Sequence, residues 1–216
     1  MPGPVIVQGD RVSLRTIERE DAEFLQRSNT DPRIRWYLGS IHHGSRAEEE
    51  EGMEEWLESD SVAGYLACVD GVVDQGETTE WASGETASQA DDAPAGQPDE
   101  DDTTPIGCVT ARHVDGDRAW LGYWLVPEFH GEGYGKEMVR LAVDDVFQSF
   151  AVHGVSAGAY GFNEASRGLL ESLGFQEEAR RREARYIDGE YADEYQYGVL
   201  RDEWEGADGD RPTDGA

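Results

Sequence analysis

The chain has 216 residues, and 18 Lys plus Arg against 47 Asp plus Glu leave a net charge of −29 and a pI near 4.3. Its 38% hydrophobic and 10% aromatic content can build one domain with a sizeable core, which excludes a wholly disordered chain. The charge argues against nucleic acid or an anionic membrane as a direct partner, since both need Lys and Arg clustered on one face, and no apolar run approaches the roughly 18 residues of a membrane span.

Met1 to Arg11 has neither a basic start nor an apolar signal core, so a soluble, cytoplasmic protein is expected. Arg11 to Arg15 alternates Val12 and Leu14 with polar neighbours, as a half-buried strand does. A helix is predicted over 18–29, acidic in its first turn, with Ala22, Phe24, Leu25 and Ser28 inward. Ser45 and Glu48 have capping-box spacing ahead of a second helix carrying Met53, Trp56 and Leu57. Tyr65 to Val69, Ile106 to Arg112 and Arg118 to Val126 read as strands, the last halted by Pro127. Met138, Val139, Ala142, Val143, Val146, Phe147 and Phe150 recur at helical spacing. Val155 to Phe162 is a further strand, and a short helix over 164–173 ends at Gly174, a left-handed cap. Strands Phe175 to Ile187 and Tyr191 to Leu200 are joined by the hairpin signal Asp188-Gly189. The order describes one mixed α/β domain over 1–204.

Two stretches lie outside that pattern. From Gly71 to Pro105 there are ten acids and no Lys or Arg, too little apolar surface to offset ordering entropy, so an acidic disordered insert is expected there. Residues 205–216 read as a flexible acidic tail. Only Lys136 is a lysine, and the acids are spread along the whole chain. That composition resembles halophile proteins, whose carboxylates keep them hydrated in dense salt; attraction of a basic substrate is the rival reading. Cys68 and Cys108 are too few for a disulfide framework and read as small buried hydrophobes. His42, His43, His113, His130 and His153 form no metal-binding pattern, so no metal is expected.

The chemistry concentrates where a strand end meets a helix start. In Leu125-Val126-Pro127-Glu128-Phe129-His130-Gly131-Glu132-Gly133-Tyr134-Gly135-Lys136, glycines let backbone N–H groups approach a ligand at the positive end of a helix, which suits a pyrophosphate. A P-loop fails at His130 and Glu137, and a dinucleotide fingerprint fails at Lys136. His130, Gly133 and Gly135 instead match the acyl-CoA turn of the Gcn5-related N-acetyltransferases (GNAT), with histidine in place of the usual Gln or Arg. A second segment, Asn163 through Ser166 to Gly174-Phe175, is similar to that family's later signature. Arg15, Asn29 to Pro32 and the end from Asp188 to Trp204 resemble the branch that acetylates N-termini of ribosomal proteins.

The resemblance implies a mostly antiparallel twisted sheet splayed between its fourth and fifth strands and flanked by about four helices. It implies acetyl-CoA as cosubstrate, without a metal, and direct attack of an amine on the thioester. Pantetheine would lie against Leu125 and Val126, with a backbone N–H there facing the developing oxyanion. His130, Gly131, Glu132, Gly133, Tyr134, Gly135 and Lys136 would hold the pyrophosphate. Asn163 would bond the pantetheine arm as well as cap its helix, Ser166 would protonate the departing thiolate, and Glu178 stands at the family's position for a base, with a surface salt bridge as its other reading. Trp36, Tyr37, Tyr123, Trp124 and Tyr160 are candidates for the acceptor cleft. The expected acceptor is a protein N-terminal amine. Polyamines, amino acids or aminoglycosides stay open, as does a non-catalytic acyl-CoA-binding regulator. Relatives commonly dimerise, although the sequence identifies no interface.

Overall fold

The computed structural model describes residues 2–39, 45–57, 59–71 and 103–204. Among these residues eight strands form one sheet in the order β1-β2-β3-β4-β5-β6-β8-β7: β1 Val5–Gln8, β2 Ser13–Arg15, β3 Val62–Asp70, β4 Thr103–Arg112, β5 Arg118–Leu125, β6 Gly154–Tyr160, β7 Gln176–Ile187 and β8 Glu190–Leu200. Every neighbouring pair is antiparallel except β5 and β6. That exception follows from the connection, because α5 (Tyr134–Ser149) crosses back between the two strands and lets the second run the same way as the first.

The two faces of the sheet are covered differently. On one, α5 buries Met138, Val139, Ala142, Val143, Val146 and Phe147 against Leu14, Val109, Leu121 and Val155, each fully buried aliphatic contributing about 1.5–3 kcal/mol. Helix α6 (Glu164–Ser172) lies on the same face through Leu170. On the other, Ala22 and Leu25 of α1 (Ala22–Leu25) and Met53 of α4 (Arg46–Leu57) cover Leu66, Cys68 and Cys108. Both cysteines are buried free thiols, and burial pushes that of Cys68 up to about 12.

Several elements differ from expectation. The helix over 18–29 is built as a 3-10 turn, Arg19–Asp21, followed by α1 and α2 (Arg27–Thr30). A further helix, α3 (Pro32–Leu38), was not anticipated, although Asp31 accepts from Arg33 N–H at its start, Pro32 opens it and Gly39 closes it at φ 69°. Strand β1 was missed too, being an edge strand that exposes Val5 and Ile6. The capping box at Ser45 and Glu48 forms, with Ser45 N–H on the Glu48 carboxylate at 2.7 Å and Glu48 N–H on Ser45 Oγ at 3.3 Å. At the hairpin tip, Asp188 and Gly189 take φ 50° and 88°, as a two-residue turn between twisted strands requires. The expected insert lies outside the described residues between 72 and 102, but its last three positions, Thr103 to Pro105, are strand residues paired with Asp70, Val69 and Cys68. The tail 205–216 also lies outside the described residues, as do His42 and His43.

Candidate active site

Strands β5 and β6 pair only from Arg118 with Gly154 to Leu121 with Ala157. Beyond that point β5 stays on β4 to Leu125 while β6 stays on β8 to Tyr160, so the sheet opens into a V. A bulge on β4 lies further along the opening, beside Leu125 and Val126: Ala67 pairs Gly107 but Cys68 pairs Pro105, leaving Ile106 extra and bending the strand. Val126 N–H bonds the Ile106 carbonyl at 2.8 Å, which commits it to β4. Strand alternation therefore turns the N–H and C=O of Leu125 the other way, into the V. His130 Nε2 lies 3.0 Å from that Leu125 carbonyl. Of the two residues expected to face pantetheine, Leu125 lines the opening and Val126 is buried behind it.

The glycine turn stands at the same opening. After the 3-10 turn Pro127–Phe129, Gly131 and Gly133 take φ 81° and 90°, and α5 begins at Tyr134. The first helical bond recorded there runs from Glu137 N–H to Gly133 O, so the N–H groups of Tyr134, Gly135 and Lys136 have no partner within the helix. Helix α6 comes close to the turn at Gly135, where a Cβ would stand 3.2 Å from the end of the Leu169 side chain.

Arg11, from the β1–β2 turn, braces this turn from outside. Its guanidinium bonds Glu132 O at 3.0 Å and Glu137 Oε2 at 3.2 Å and lies 4.4 Å from the centre of the Tyr134 ring. Partial burial works against ionisation of Glu137, but the N–H groups of Arg11 and Val12 and the guanidinium outweigh it and hold the carboxyl below its ordinary range. Glu132 and Tyr134, expected to touch the cofactor, are the parts Arg11 grips, and neither lines the cleft. Replacing Arg11 with alanine loosens the turn without touching the reacting atoms; the acetyl-CoA KM should rise about fivefold to tenfold with kcat nearly unchanged, a loss of roughly 1–1.4 kcal/mol. Steady-state kinetics would show it.

A cavity of about 910 Å³ fills the V and reaches both faces of the sheet. On the α5 side it meets Gly131, Gly133, Gly135, Lys136, Asn163 and Ser166. Asn163 caps α6, its Oδ1 accepting from Ser166 N–H at 3.1 Å. The Ser166 hydroxyl lies 2.7 Å from the Tyr123 hydroxyl, and burial, opposed by that bond, pushes the phenol up to about 12. Lys136 Nζ donates to Ser172 O at 3.1 Å, tying α5 to the end of α6.

On the opposite side the cavity meets Trp120, Trp124, Gly158, Tyr160 and Glu194 from the sheet, and Arg33, Ile34, Tyr37 and Leu38 from α3. Helix α3, absent from the sequence reading, is thus a wall of the site. It is pinned to the 3-10 turn that leads into the glycine turn by Arg33, which bonds Glu128 at 2.8 Å and Asp31 at 2.8 Å. Tyr160 packs under Gly39, where a Cβ would fall 2.4 Å from the phenol oxygen, so this turn must be glycine. Tyr160 stacks on Phe162 at 5.7 Å, and Phe162 meets Tyr37 at a tilt, 5.9 Å between ring centres. Trp36, paired with Tyr37 in the sequence reading, turns away and packs against Arg35.

Glu178 is not brought to the cleft, contrary to expectation. It occupies the extra position of a bulge in β7, with its carboxylate 2.5 Å from Arg118 Nη1 and packed on Gly198. Two carboxylates do line the cleft: Glu164, in the first turn of α6, and Glu194, opposite Tyr160 across β6 and β8 and ion-paired to Arg181 at 3.0 Å. Alternation along β8 was the signal that could have found Glu194. Among the described residues no group of three His, Cys, Asp or Glu stands together as a metal site, and no helix is long and apolar enough to cross a membrane.

Residues 11–176 match the family described as Acetyltransferase (GNAT) domain, and the chain belongs to that family. Among curated proteins it is 32% identical over 107 residues to the Bacillus subtilis "Putative ribosomal N-acetyltransferase YdaF", covering 49% of this chain and 58% of that one. It is 31% identical over 108 residues to the prophage-derived N-acetyltransferase YokL of the same organism, covering 49% and 61%. The chain therefore spans about three fifths of the length of these relatives. Among solved structures, spermidine N-acetyltransferase from Vibrio cholerae, with CoA and spermine, superposes with a TM-score of 0.71 at 19% identity, over 90% of this chain and 98% of that one. RimL, the ribosomal L7/L12 alpha-N-protein acetyltransferase, with CoA, gives 0.66 at 14%, over 91% and 98%. At these identities the likeness speaks for the fold, a mixed α/β sheet opened at one pairing and flanked by helices.

Proposed function

We propose that the protein transfers an acetyl group from acetyl-CoA to a primary amine, with a protein N-terminal α-amine as the acceptor. The observation that carries this reading is the parted pair β5 and β6, where the N–H of Leu125 that β6 leaves uncovered, the N–H groups after Gly133 and the Ser166–Tyr123 pair open into one cavity. Acetyl-CoA supplies an activated thioester. The N–H groups at the start of α5 suit its pyrophosphate, and the inward edge of Leu125 suits the amides of its pantetheine arm and the oxygen that gains charge. Asn163 borders the same arm. Ser166 hands a proton to the departing thiolate, and Tyr123, neutral throughout the working range, fixes that hydroxyl. Lys136 is tied to Ser172 and contributes charge at the edge of the site.

No dedicated base is required. An α-amine with a pKa near 8 is partly neutral at pH 7, unlike a lysine near 10.4, and water can take its proton. Glu194 replaces Glu178 as the carboxylate beside the incoming amine. The test is release of free CoA from acetyl-CoA against peptides with Ser, Ala, Thr or Met N-termini, polyamines and free amino acids. Peptide-dependent release supports the reading. Release with polyamines alone moves the acceptor to small amines, and tight acetyl-CoA binding with no release for any amine makes the protein a regulatory binder.

The acidity supports a cytoplasm of high salt as the working environment. Removing salt then unmasks self-repulsion and repulsion of the anionic cofactor, because the screening length grows from about 3 Å at 1 M to about 10 Å at 0.1 M. Melting temperature and acetyl-CoA affinity should both fall as KCl is lowered from multimolar to about 0.1 M. A flat thermal-shift profile across that range would contradict it.

A further inference from the structure

We propose that the acceptor half of the cleft selects protein N-termini bearing an Asp or Glu within their first four residues, and that Arg185 is the residue that recognises it. This rests on the N-terminal acetyltransferase reading above. In a chain of net charge −29, four of the 18 cations stand in the edge strand β7: Arg180, Arg181, Arg182 and Arg185. Their partners differ. Arg180 bonds Asp193 at 2.5 Å and Arg181 bonds Glu194 at 3.0 Å, whereas Arg182 and Arg185 are exposed and have no ion pair among the described residues; of these two, Arg185 is the one in register with β8.

The sheet register places that free charge. Tyr160 pairs Glu194 and Glu194 pairs Arg181, so the three share one row and one face, the face of the acceptor wall. Arg185 pairs Ala192, two residues from Glu194 on β8, and so belongs to the same face one pleat nearer the mouth of the V. Its charge acts on the Tyr160 phenol, partly countering the upward push of burial, which agrees with that placement.

An acceptor chain leaving the V over Tyr160 crosses β8 and reaches β7 after two strand spacings, about 10 Å, or roughly three extended residues. Along that path it meets the aromatic series Tyr160, Phe162 and Tyr37, then a carboxylate already matched by Arg181, then an unmatched guanidinium. The sequence of charges suits an amine at the head and a carboxylate a few residues behind it. It opposes a polyamine or a Lys-rich N-terminus, whose second cation would come up against Arg185.

The test compares a Ser-initiated peptide series carrying Asp at position 2, 3 or 4 with the same series carrying Lys, using the full chain at the lowest KCl that keeps it folded. Wild type should show roughly fivefold higher kcat/KM for Asp at one or more positions, residing in KM, as a surface charge contact provides. Arg185→Glu should reverse the preference, and Arg185→Gln should flatten it. Acetyl-CoA affinity, measured by calorimetry on each variant, reports that the fold is intact. Peptide acetylation indifferent to Asp or Lys, or a preference unmoved in Arg185→Glu, overturns the role of Arg185 while leaving N-terminal acetylation standing. Acetylation of polyamines with no peptide acetylated overturns both.

Discussion

Replacing Gly133 with valine should weaken acetyl-CoA binding at least about 100-fold. A β-branched residue at φ 90° costs on the order of 1–3 kcal/mol, so the turn rearranges instead of holding that conformation. Rearrangement swings away the N–H groups at the head of α5. Each charge-assisted bond lost contributes about 1.5–3 kcal/mol, and losing two amounts to two or more decades of affinity. Damage to the fold should be modest, because the added Cβ meets only the flexible end of Arg11, at 3.1 Å. Calorimetric titration with acetyl-CoA checks this. Unchanged affinity in a folded Gly133→Val protein would mean that the phosphates bind elsewhere.

The second large effect concerns proton delivery. Ser166→Ala should lower kcat about 100-fold, the lower end of what a positioned acid contributes, with the acetyl-CoA KM little changed. Tyr123→Phe should cost nearly as much, because Ser166 Oγ then loses the partner 2.7 Å away that orients it. The double variant should resemble the worse single variant, since two members of one relay act as a unit. Sign and range follow from the phenol: a group raised to about 12 stays protonated below about pH 11, so no fall in kcat from its ionisation should appear between pH 7 and 10. Fully multiplicative losses would show that the two hydroxyls act independently.

The legible parts of this chain were those where one local rule governs. Helix α5 announced itself because Met138, Val139, Ala142, Val143 and Val146 all face one core, and the Asp188-Gly189 turn because its backbone admits few residues. The glycine turn stood out from its spacing as a place where backbone N–H groups are left exposed, and its match to the acyl-CoA turn came from resemblance. Helix α3 escaped notice despite its Pro32 start and Gly39 stop, because a seven-residue helix with one buried side chain, Ile34, has almost no periodicity. Glu178 is a case of another kind, open in the sequence between a base and a surface salt bridge. Its position relative to Gly174-Phe175 fitted a pattern along the chain, but a bulge in β7 turned it onto Arg118. Glu194 and Arg185 gain meaning only from register across three strands, which pairs residues far apart in sequence.

The parting of β5 and β6 leaves an edge inside the sheet, and its consequence can be followed amide by amide in time. Tyr123 and Leu125 point their N–H groups towards a strand that is no longer there, whereas Trp124 and Val126 point theirs into the ladder with β4. In the free protein, deuterium should therefore enter along β5 in alternation, fast at the odd positions past Leu121 and slow at the even ones. With acetyl-CoA bound, the alternation should fade as its pantetheine arm takes the place of the missing strand. The pantetheine arm would then act as a temporary further strand, and the interior of the sheet would close only while acetyl-CoA is bound.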